Sequence, residues 1–287
     1  MQKRKSIPVA LTIAGSDSGG GAGIQADLKT FAALGVHGTS VITCITAQNP
    51  VRVYGIEPCS PAMVRQQLEA VFDQLQPHAV KTGMLFSAPI IETVADFFEN
   101  RKRPPLIVDP VMISTSGARL LEPEAVDVLT KRLLPLATLV TPNLHEAEIL
   151  TGDKIRSVSA LRDAARTIRK RFGCAALVKG GHLPEAKEAV DYYQDGRCEA
   201  VLCVTYVRDI NTHGTGCTLS AAIASYLAQG HSLRSAAKDA KVYITNSIMN
   251  SARARRHFVL GKGIQAVQLL RQLSQKKLRK KMRDLLG

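Results

Sequence analysis

The sequence lacks the markers of several common protein classes. It contains no run of about 18 apolar residues, so no transmembrane helix is predicted. Residues 3–5 lead into a strand-like segment rather than into the apolar core of a signal peptide. H-E-x-x-H, G-x-S-x-G and Walker A patterns are missing, which removes the usual evidence for a zinc protease, an α/β-hydrolase or a P-loop NTPase.

The cysteines form no recognised pattern either. The 6 of them include no C-x-x-C pair and are scattered along the chain. This favours reduced thiols over a disulfide framework or a zinc site. A cytoplasmic location is therefore expected.

The net charge of +14 comes from the two ends of the chain. Residues 253–287 hold eleven Lys or Arg and one acid, whereas residues 6–252 carry 24 basic and 23 acidic side chains. Basic ends of this kind are more often solvated tails than contacts to nucleic acid or to an anionic surface. Neither a nucleic-acid partner nor a membrane partner is expected.

Short apolar runs alternate with segments of helical periodicity, which is typical of βαβ units around a mostly parallel sheet. The predicted strands are 7–14, 39–46, 79–82, 106–109, 139–141 and 175–178. The predicted helices are 22–34, 61–73, 89–98, 122–134, 157–172, 218–228 and 232–251. The Asp195-Gly196 turn predicts an antiparallel hairpin of 190–194 with 198–204 at the sheet edge. No interdomain linker is found, so one α/β domain is expected.

Unusual sequences follow the carboxyl ends of the predicted strands, where open α/β sheets bind ligands. The glycine-rich loop 15–23 contains a G-x-G-x-x-A match, but residues 28–56 hold no acid to bind a nicotinamide ribose. We expect this loop instead to place its backbone against a compact planar substrate. The amide of Gln48 both donates and accepts, which suits the edge of a heterocycle. Asp17 and Asp27 have an alternative role in capping and solvating the first helix.

Residues 211–217, Asn-Thr-His-Gly-Thr-Gly-Cys, have the character of a phosphate-binding helix start. Backbone N–H groups at such a start point outward, and the aligned peptide dipoles favour negative charge. Gly214 and Gly216 allow a ligand to approach the main chain closely. An ordinary N-cap by Thr212 or Thr215 is the alternative.

Two further segments suit phosphate and metal chemistry. Asn143 and Glu146 have the spacing of a capping box, and the same pair is suited to organise water around Mg²⁺. Lys179, followed by Gly180 and Gly181, is placed to contact a phosphate chain. A lone Lys at a strand end is more commonly just solvated.

Taken together, these motifs resemble the hydroxymethylpyrimidine/phosphomethylpyrimidine kinase family, the thiamine-pathway branch of the ribokinase-like superfamily. The resemblance extends from about residue 9 to about residue 267. It is carried by separated motifs at 10–27, 46–49, 81–84, 108–112, 141–143, 179–182 and 211–217.

The resemblance implies a three-layer αβα fold and two phosphoryl transfers from ATP with Mg²⁺. The acceptors are a small heterocyclic alcohol, 4-amino-5-hydroxymethyl-2-methylpyrimidine, and then its monophosphate. Cys217 corresponds to the catalytic base, and its place at a helix start favours the thiolate, although packing is an alternative reason for a Cys there. The other implied site residues are Gly214 and Gly216 as backbone donors; Gly15, Asp27, Gln48, Met84 and Val111 around the substrate; Lys179, Gly181, Thr212 and Thr215 for the nucleotide; and Asn143 and Glu146 for the metal.

The chain departs from this family in two places. In the flap, Thr115, Ala118 and Arg119 stand where a Lys and an acid are usual, and a basic extension at 271–287 follows an expected kinase domain at 1–270. A homodimer is expected. Two alternatives stay open: a pyridoxal or pyridoxine kinase on the same scaffold, and a catalytically inactive scaffold that binds nucleic acid through its basic ends.

Overall fold

The computed structural model describes residues 6–112, 120–181, 183, 188–207, 213–255 and 257–261. The strands are β1 (Val9–Asp17), β2 (His37–Gln48), β3 (Val53–Pro58), β4 (Ala79–Thr82), β5 (Leu106–Val108), β6 (Leu139–Val140), β7 (Ala175–Lys179), β8 (Glu188–Gln194), β9 (Glu199–Thr205), β10 (Ala252–Ala254) and β11 (His257–Val259). The helices are α1 (Gly23–Ala33), α2 (Pro61–Gln74), α3 (Ala88–Glu99), α4 (Pro123–Val128), α5 (Leu144–Thr151), α6 (Val158–Phe172), α7 (Thr215–Ala228) and α8 (Leu233–Met249).

A single large sheet organises the fold, with strand order β3-β2-β1-β4-β5-β6-β7-β8-β9. The six strands from β2 to β7 in this order are parallel. β3 is antiparallel to β2 at one edge, and the predicted hairpin forms the other edge as β8 and β9. All parallel strands therefore end on the same side of the sheet, where a ligand site is expected.

Helices cover both faces of the sheet. One apolar core packs α2 to α6 against the first face, and a second packs α1, α7 and α8 against the other. This is the expected three-layer αβα arrangement. Within the described parts of the chain, no helix has both the length and the apolar character needed to span a bilayer.

Three elements differ from the sequence prediction. The edge strand β3 was not predicted; it follows a tight turn in which the Asn49 side chain accepts from the N–H groups of Val51 and Arg52. The predicted helix at 122–134 is α-helical only to Val128 and continues as a π turn and a 3-10 turn that contains Pro135. Proline removes a backbone donor and clashes with the preceding turn, which explains the irregular end. The short pair β10–β11 was also not predicted.

Candidate active site

A cavity opens at the carboxyl ends of β1, β2 and β4 and reaches the start of α7. Its walls come from the glycine-rich loop, the end of β4 and the first turn of α7. The residues that line it are Ala14, Gly15, Ser16, Asp17, Ala22, Gly23, Thr46, Lys81, Gly83, Met84, Val111, Leu120 and Cys217. Sequence positions more than 200 residues apart thus meet in one site.

Asp17 organises the glycine-rich loop. Its carboxylate accepts from the N–H groups of Gly19 at 2.8 Å, Gly21 at 3.0 Å and Ala22 at 2.8 Å. His213 Nε2 lies 3.4 Å from the same carboxylate. Although burial raises the pKa of Asp17, the His213 side chain and these backbone donors lower it further than burial raises it. The loop is therefore folded around a fixed negative charge just before α1.

The start of α7 depends on Gly214. This residue occupies the N-cap with a φ of +79°, and a Cβ there would overlap the carbonyl oxygen of Gly21. Only glycine combines this backbone conformation with so close a contact. Thr215 is the first helical residue and not the N-cap, so that alternative is wrong. Thr212 lies outside the described residues.

Cys217 faces the cavity from the first turn of α7. Gly23 donates a backbone hydrogen bond to it. Burial raises the pKa of the Cys217 thiol, and the nearby Lys81 ammonium opposes this only in part. Desolvation therefore opposes the thiolate that the position at a helix start was expected to favour.

Gln48 lies beside the cavity and does not line it. Its amide nitrogen is 3.5 Å from His213 Nε2, and its amide oxygen is 3.4 Å from the hydroxyl of Thr46, which is a cavity residue. Gln48 is the last residue of β2, a strand that was predicted to end at residue 46. The two ends of the predicted site, Gln48 and Cys217, thus lie at one cavity and its rim.

Asp27 is placed differently from the prediction. Asp27 is not among the residues that line the cavity, and its buried side chain binds Lys81 with an Nζ–Oδ2 distance of 2.8 Å. Lys81 lines the cavity in its stead. The sequence held a signal for this pair, because a lone Lys inside a fully buried strand requires a buried acid.

Met84 and Val111 form the apolar side of the cavity as predicted, in a cluster with Cys44 and Leu120. Val111 has a φ of +44°, which is strained for a β-branched residue. Gly15 is also required to be small, because a Cβ there would lie 2.6 Å from the sulfur of Cys44. Glycine backbone and apolar side chains therefore both line this part of the cavity.

Lys179 is not simply solvated. Its ammonium lies 3.0 Å from Asp109 Oδ1, and its side chain is 17% exposed. Burial lowers the pKa of Lys179, but Asp109 and Glu146 raise it more. Ser220 of α7 donates to the other Asp109 oxygen at 3.3 Å. Asp109 therefore joins β5, β7 and α7.

Asn143 and Glu146 form the predicted capping box at the start of α5. The Glu146 carboxylate accepts from the N–H of Asn143 at 2.9 Å and from the N–H of Met112 at 3.2 Å. Burial raises the pKa of Glu146, Lys179 lowers it and Asp109 raises it. The carboxylates of Asp109 and Glu146 thus act on one ammonium, that of Lys179. The buried negative charge here exceeds the positive charge, which fits the binding of a cation. Among the described residues, no three His, Cys, Asp or Glu side chains already form a metal cage.

The remaining predicted positions are less informative. Gly181 follows β7 with open space around it, so no close approach requires glycine there. A Cβ on Gly216 would lie 3.3 Å from the ammonium of Lys179. The flap residues Thr115, Ala118 and Arg119 lie outside the described part of the chain.

Comparison with known proteins identifies the family. The sequence profile of the phosphomethylpyrimidine kinase family matches residues 17–267. The chain belongs to this family. It is 48% identical to the hydroxymethylpyrimidine/phosphomethylpyrimidine kinase of Synechococcus elongatus, over 86% of this chain and 93% of the relative.

Solved structures agree with this assignment. The crystal structure of a phosphomethylpyrimidine kinase from Clostridium difficile is 46% identical and has a TM-score of 0.75, covering 84% of this chain and 99% of the relative. An ADP complex of pyridoxal kinase from Bacillus subtilis is 37% identical and has a TM-score of 0.83, covering 90% and 98%. The fold is therefore the ribokinase-like one shared by both kinds of kinase.

Proposed function

We propose that the protein transfers the γ-phosphoryl group of ATP to 4-amino-5-hydroxymethyl-2-methylpyrimidine and then to its monophosphate. The observation that carries this proposal is the cavity between the α7 start and the wall of Met84 and Val111. It combines a backbone site for phosphate with a narrow apolar slot for a ring. The names of the related kinases support the same acceptor.

Phosphoryl transfer requires positioning and charge stabilisation more than covalent chemistry. The first turn of α7, opened by Gly214 and Gly216, directs its N–H groups at the transferred phosphoryl group. Cys217 accepts the proton of the hydroxymethyl group. Gln48 reads the polar edge of the ring from the rim, and Lys179 contacts the phosphate chain together with Thr212, Thr215 and Gly181. ATP as the phosphoryl donor is supported by the ADP complex of the pyridoxal kinase.

Mg²⁺ fits the excess negative charge around Glu146. Glu146, held in place by Asn143, would bind the ion through water, since Mg²⁺ keeps much of its hydration. When bound, the ion neutralises phosphate charge. The ion pair of Lys179 and Asp109 lies next to this proposed magnesium site.

The direct test is conversion of the pyrimidine alcohol to its mono- and diphosphate by purified protein with ATP and Mg²⁺, followed by chromatography. We expect both products in sequence. Folded protein that forms neither product contradicts the proposal.

A pyridoxal kinase activity is the second candidate, because the ADP-bound pyridoxal kinase shares the fold over 90% of this chain. Both substrates are flat rings that carry a hydroxymethyl group. The ratio of kcat/KM for the two alcohols measures the preference. We expect the pyrimidine to be preferred, and a ratio that favours pyridoxal would reverse the assignment.

We further propose a cytoplasmic homodimer that associates through the β2–β3 edge. All six cysteines are free thiols, which suits a reducing compartment. Ile45 and Tyr54 lie on this edge and are 58% and 63% exposed. Large apolar side chains exposed to this extent favour a surface that another protein chain covers. Sedimentation of the wild type and of Ile45→Glu tests the dimer, which the substitution should weaken.

A further inference from the structure

The proposed phosphoryl transfer gives no role to the buried ion pair of Lys81 and Asp27. Both side chains have no exposed surface, and their charged atoms are 2.8 Å apart. Thr12 donates to the same Asp27 oxygen at 2.7 Å. Removing two charges from water is so costly that such a pair seldom adds net stability relative to apolar residues. A role beyond stability is therefore worth seeking.

The position of Lys81 supplies one. Lys81 is one of the residues that line the cavity, as is Cys217, and its buried ammonium lies behind this lining. Gly83 passes so close that a Cβ there would lie 2.8 Å from the Lys81 Nζ. Asp27 and this backbone therefore hold the ammonium in place beside the cavity.

Cys217 needs such a charge in order to accept a proton. The thiolate is the basic form, and burial raises the pKa of the thiol. Several charged groups act on Cys217: Lys81 favours the thiolate, Asp27 and Asp109 oppose it, and Lys179 is attracted to it. Among these charges Lys81 has the largest effect.

We propose that Lys81 is a positioning residue for phosphoryl transfer, whose ammonium, fixed by Asp27, stabilises the thiolate of Cys217 at the cavity. This inference rests on the proposed function. Cys217 first releases its thiol proton to solvent, and the thiolate then takes the proton of the substrate hydroxyl. The substrate oxygen forms a bond to the γ-phosphorus while the bond from that phosphorus to the bridging oxygen of the departing ADP breaks. The thiol finally returns its proton to solvent.

The test measures the ionisation of Cys217 directly in the full-length protein without substrates. Iodoacetamide alkylates thiolates, and peptide mass spectrometry gives the rate at Cys217 as a function of pH. The double variant Lys81→Met/Asp27→Asn replaces both charges by neutral groups of similar shape. In this variant we expect the pH midpoint of Cys217 alkylation to rise. Each unit of that rise lowers the rate at a fixed lower pH about tenfold.

Two controls separate this effect from general disturbance. Cys203 is exposed and serves as an internal reference for the variants of Lys81 and Asp27, in which its rate should not change. The pair Lys241–Asp191 is also buried, with an Nζ–Oδ2 distance of 2.7 Å. Lys241→Met/Asp191→Asn therefore removes a comparable pair, and it should leave the Cys217 midpoint in place.

A second neutral pair, Lys81→Gln/Asp27→Asn, also removes both charges, so the midpoint should rise there as well. An unchanged midpoint in whichever of these two neutral-pair variants of Lys81 and Asp27 remains folded by circular dichroism overturns the inference. Because alkylation needs neither ATP nor pyrimidine, an inactive wild type contradicts only the proposed kinase function.

Discussion

At the scale of single residues, Cys217 is the side chain on which the proposed chemistry depends most. Replacement by Ala removes the proton acceptor and leaves the backbone of α7 in place, so we expect kcat to fall by about 10²- to 10⁴-fold. Binding of ADP, followed by thermal shift, should persist. Cys203→Ala, at an exposed thiol on β9, is the matched control. Unchanged turnover in Cys217→Ala would remove the assigned role.

Gly214 offers a second test at this scale. Comparison with Gly230 separates the cost of a strained backbone conformation from the cost of a steric clash of the added Cβ. Gly214 and Gly230 both have positive φ, +79° and +89°, but only Gly214 has a neighbouring carbonyl where a Cβ would lie. Gly230→Ala should therefore lose only about 1 kcal/mol of unfolding free energy. Gly214→Ala should lose more and should also lose activity, as measured by urea unfolding and kcat/KM. Equal effects would show that the contact with the Gly21 loop is unimportant.

The sequence predicted which residues lie at the site better than it predicted which residues contact each other. Met84 and Val111 line the cavity, as the family resemblance implied, and Asn143 and Glu146 form the capping box that their spacing predicted. Asp27 was placed on the substrate wall, because a sequence shows that an acid lies near a site but not which way its side chain faces. The contact of His213 with Gln48 joins β2 to the start of α7 and has no local sequence signal.

At the scale of elements, β8 supports the turn that carries Lys179. Asp191 accepts from the N–H of Gly180 at 3.1 Å through one oxygen and binds Lys241 of α8 through the other. The peptide that follows Lys179 is therefore fixed by a side chain from the neighbouring strand. This arrangement gives the edge hairpin a part in orienting the nucleotide site.

Asp191→Ala should destabilise the protein by about 3–5 kcal/mol, because it leaves the buried Lys241 without its carboxylate. Lys241→Met/Asp191→Leu and Lys241→Met/Asp191→Asn should both recover most of this in urea unfolding. Only Asn still accepts from Gly180. We therefore expect a raised KM for ATP in the Leu variant and not in the Asn variant. Equal KM values would show that this hydrogen bond does not position Lys179.

Element types were predicted well where periodicity was strong, and less well where tertiary contacts decided the outcome. The parallel strands and the edge hairpin follow from apolar runs and a turn dipeptide. The edge strand β3 is mostly exposed, with a burial pattern that gives no clear alternation, so nothing in the sequence marked it. Its pairing with β2 is decided by the Asn49 turn instead.

At the scale of the whole molecule, the sheet brings the site together. Side chains at the ends of β1, β2, β4, β5 and β7 converge because parallel strands finish on one side, and α7 then meets them from the outer layer. The family match covers residues 17–267, which include all of these elements except β1, of which only Asp17 lies within the match. The basic extension at 271–287 lies beyond that match, and we propose that catalysis does not depend on it.

Removal of residues 271–287 should therefore leave kcat and the thermal midpoint of unfolding close to those of the full chain. The extension holds seven Lys or Arg and one acid, so its loss lowers the net charge from +14 to +8. The truncated chain should therefore be retained less strongly on a cation-exchange column. Any binding of the full chain to DNA should weaken steeply as the salt concentration rises. A control that replaces these seven basic residues with Gln separates charge from length. If the truncated chain keeps its fold but loses phosphorylation, the kinase domain extends beyond residue 270.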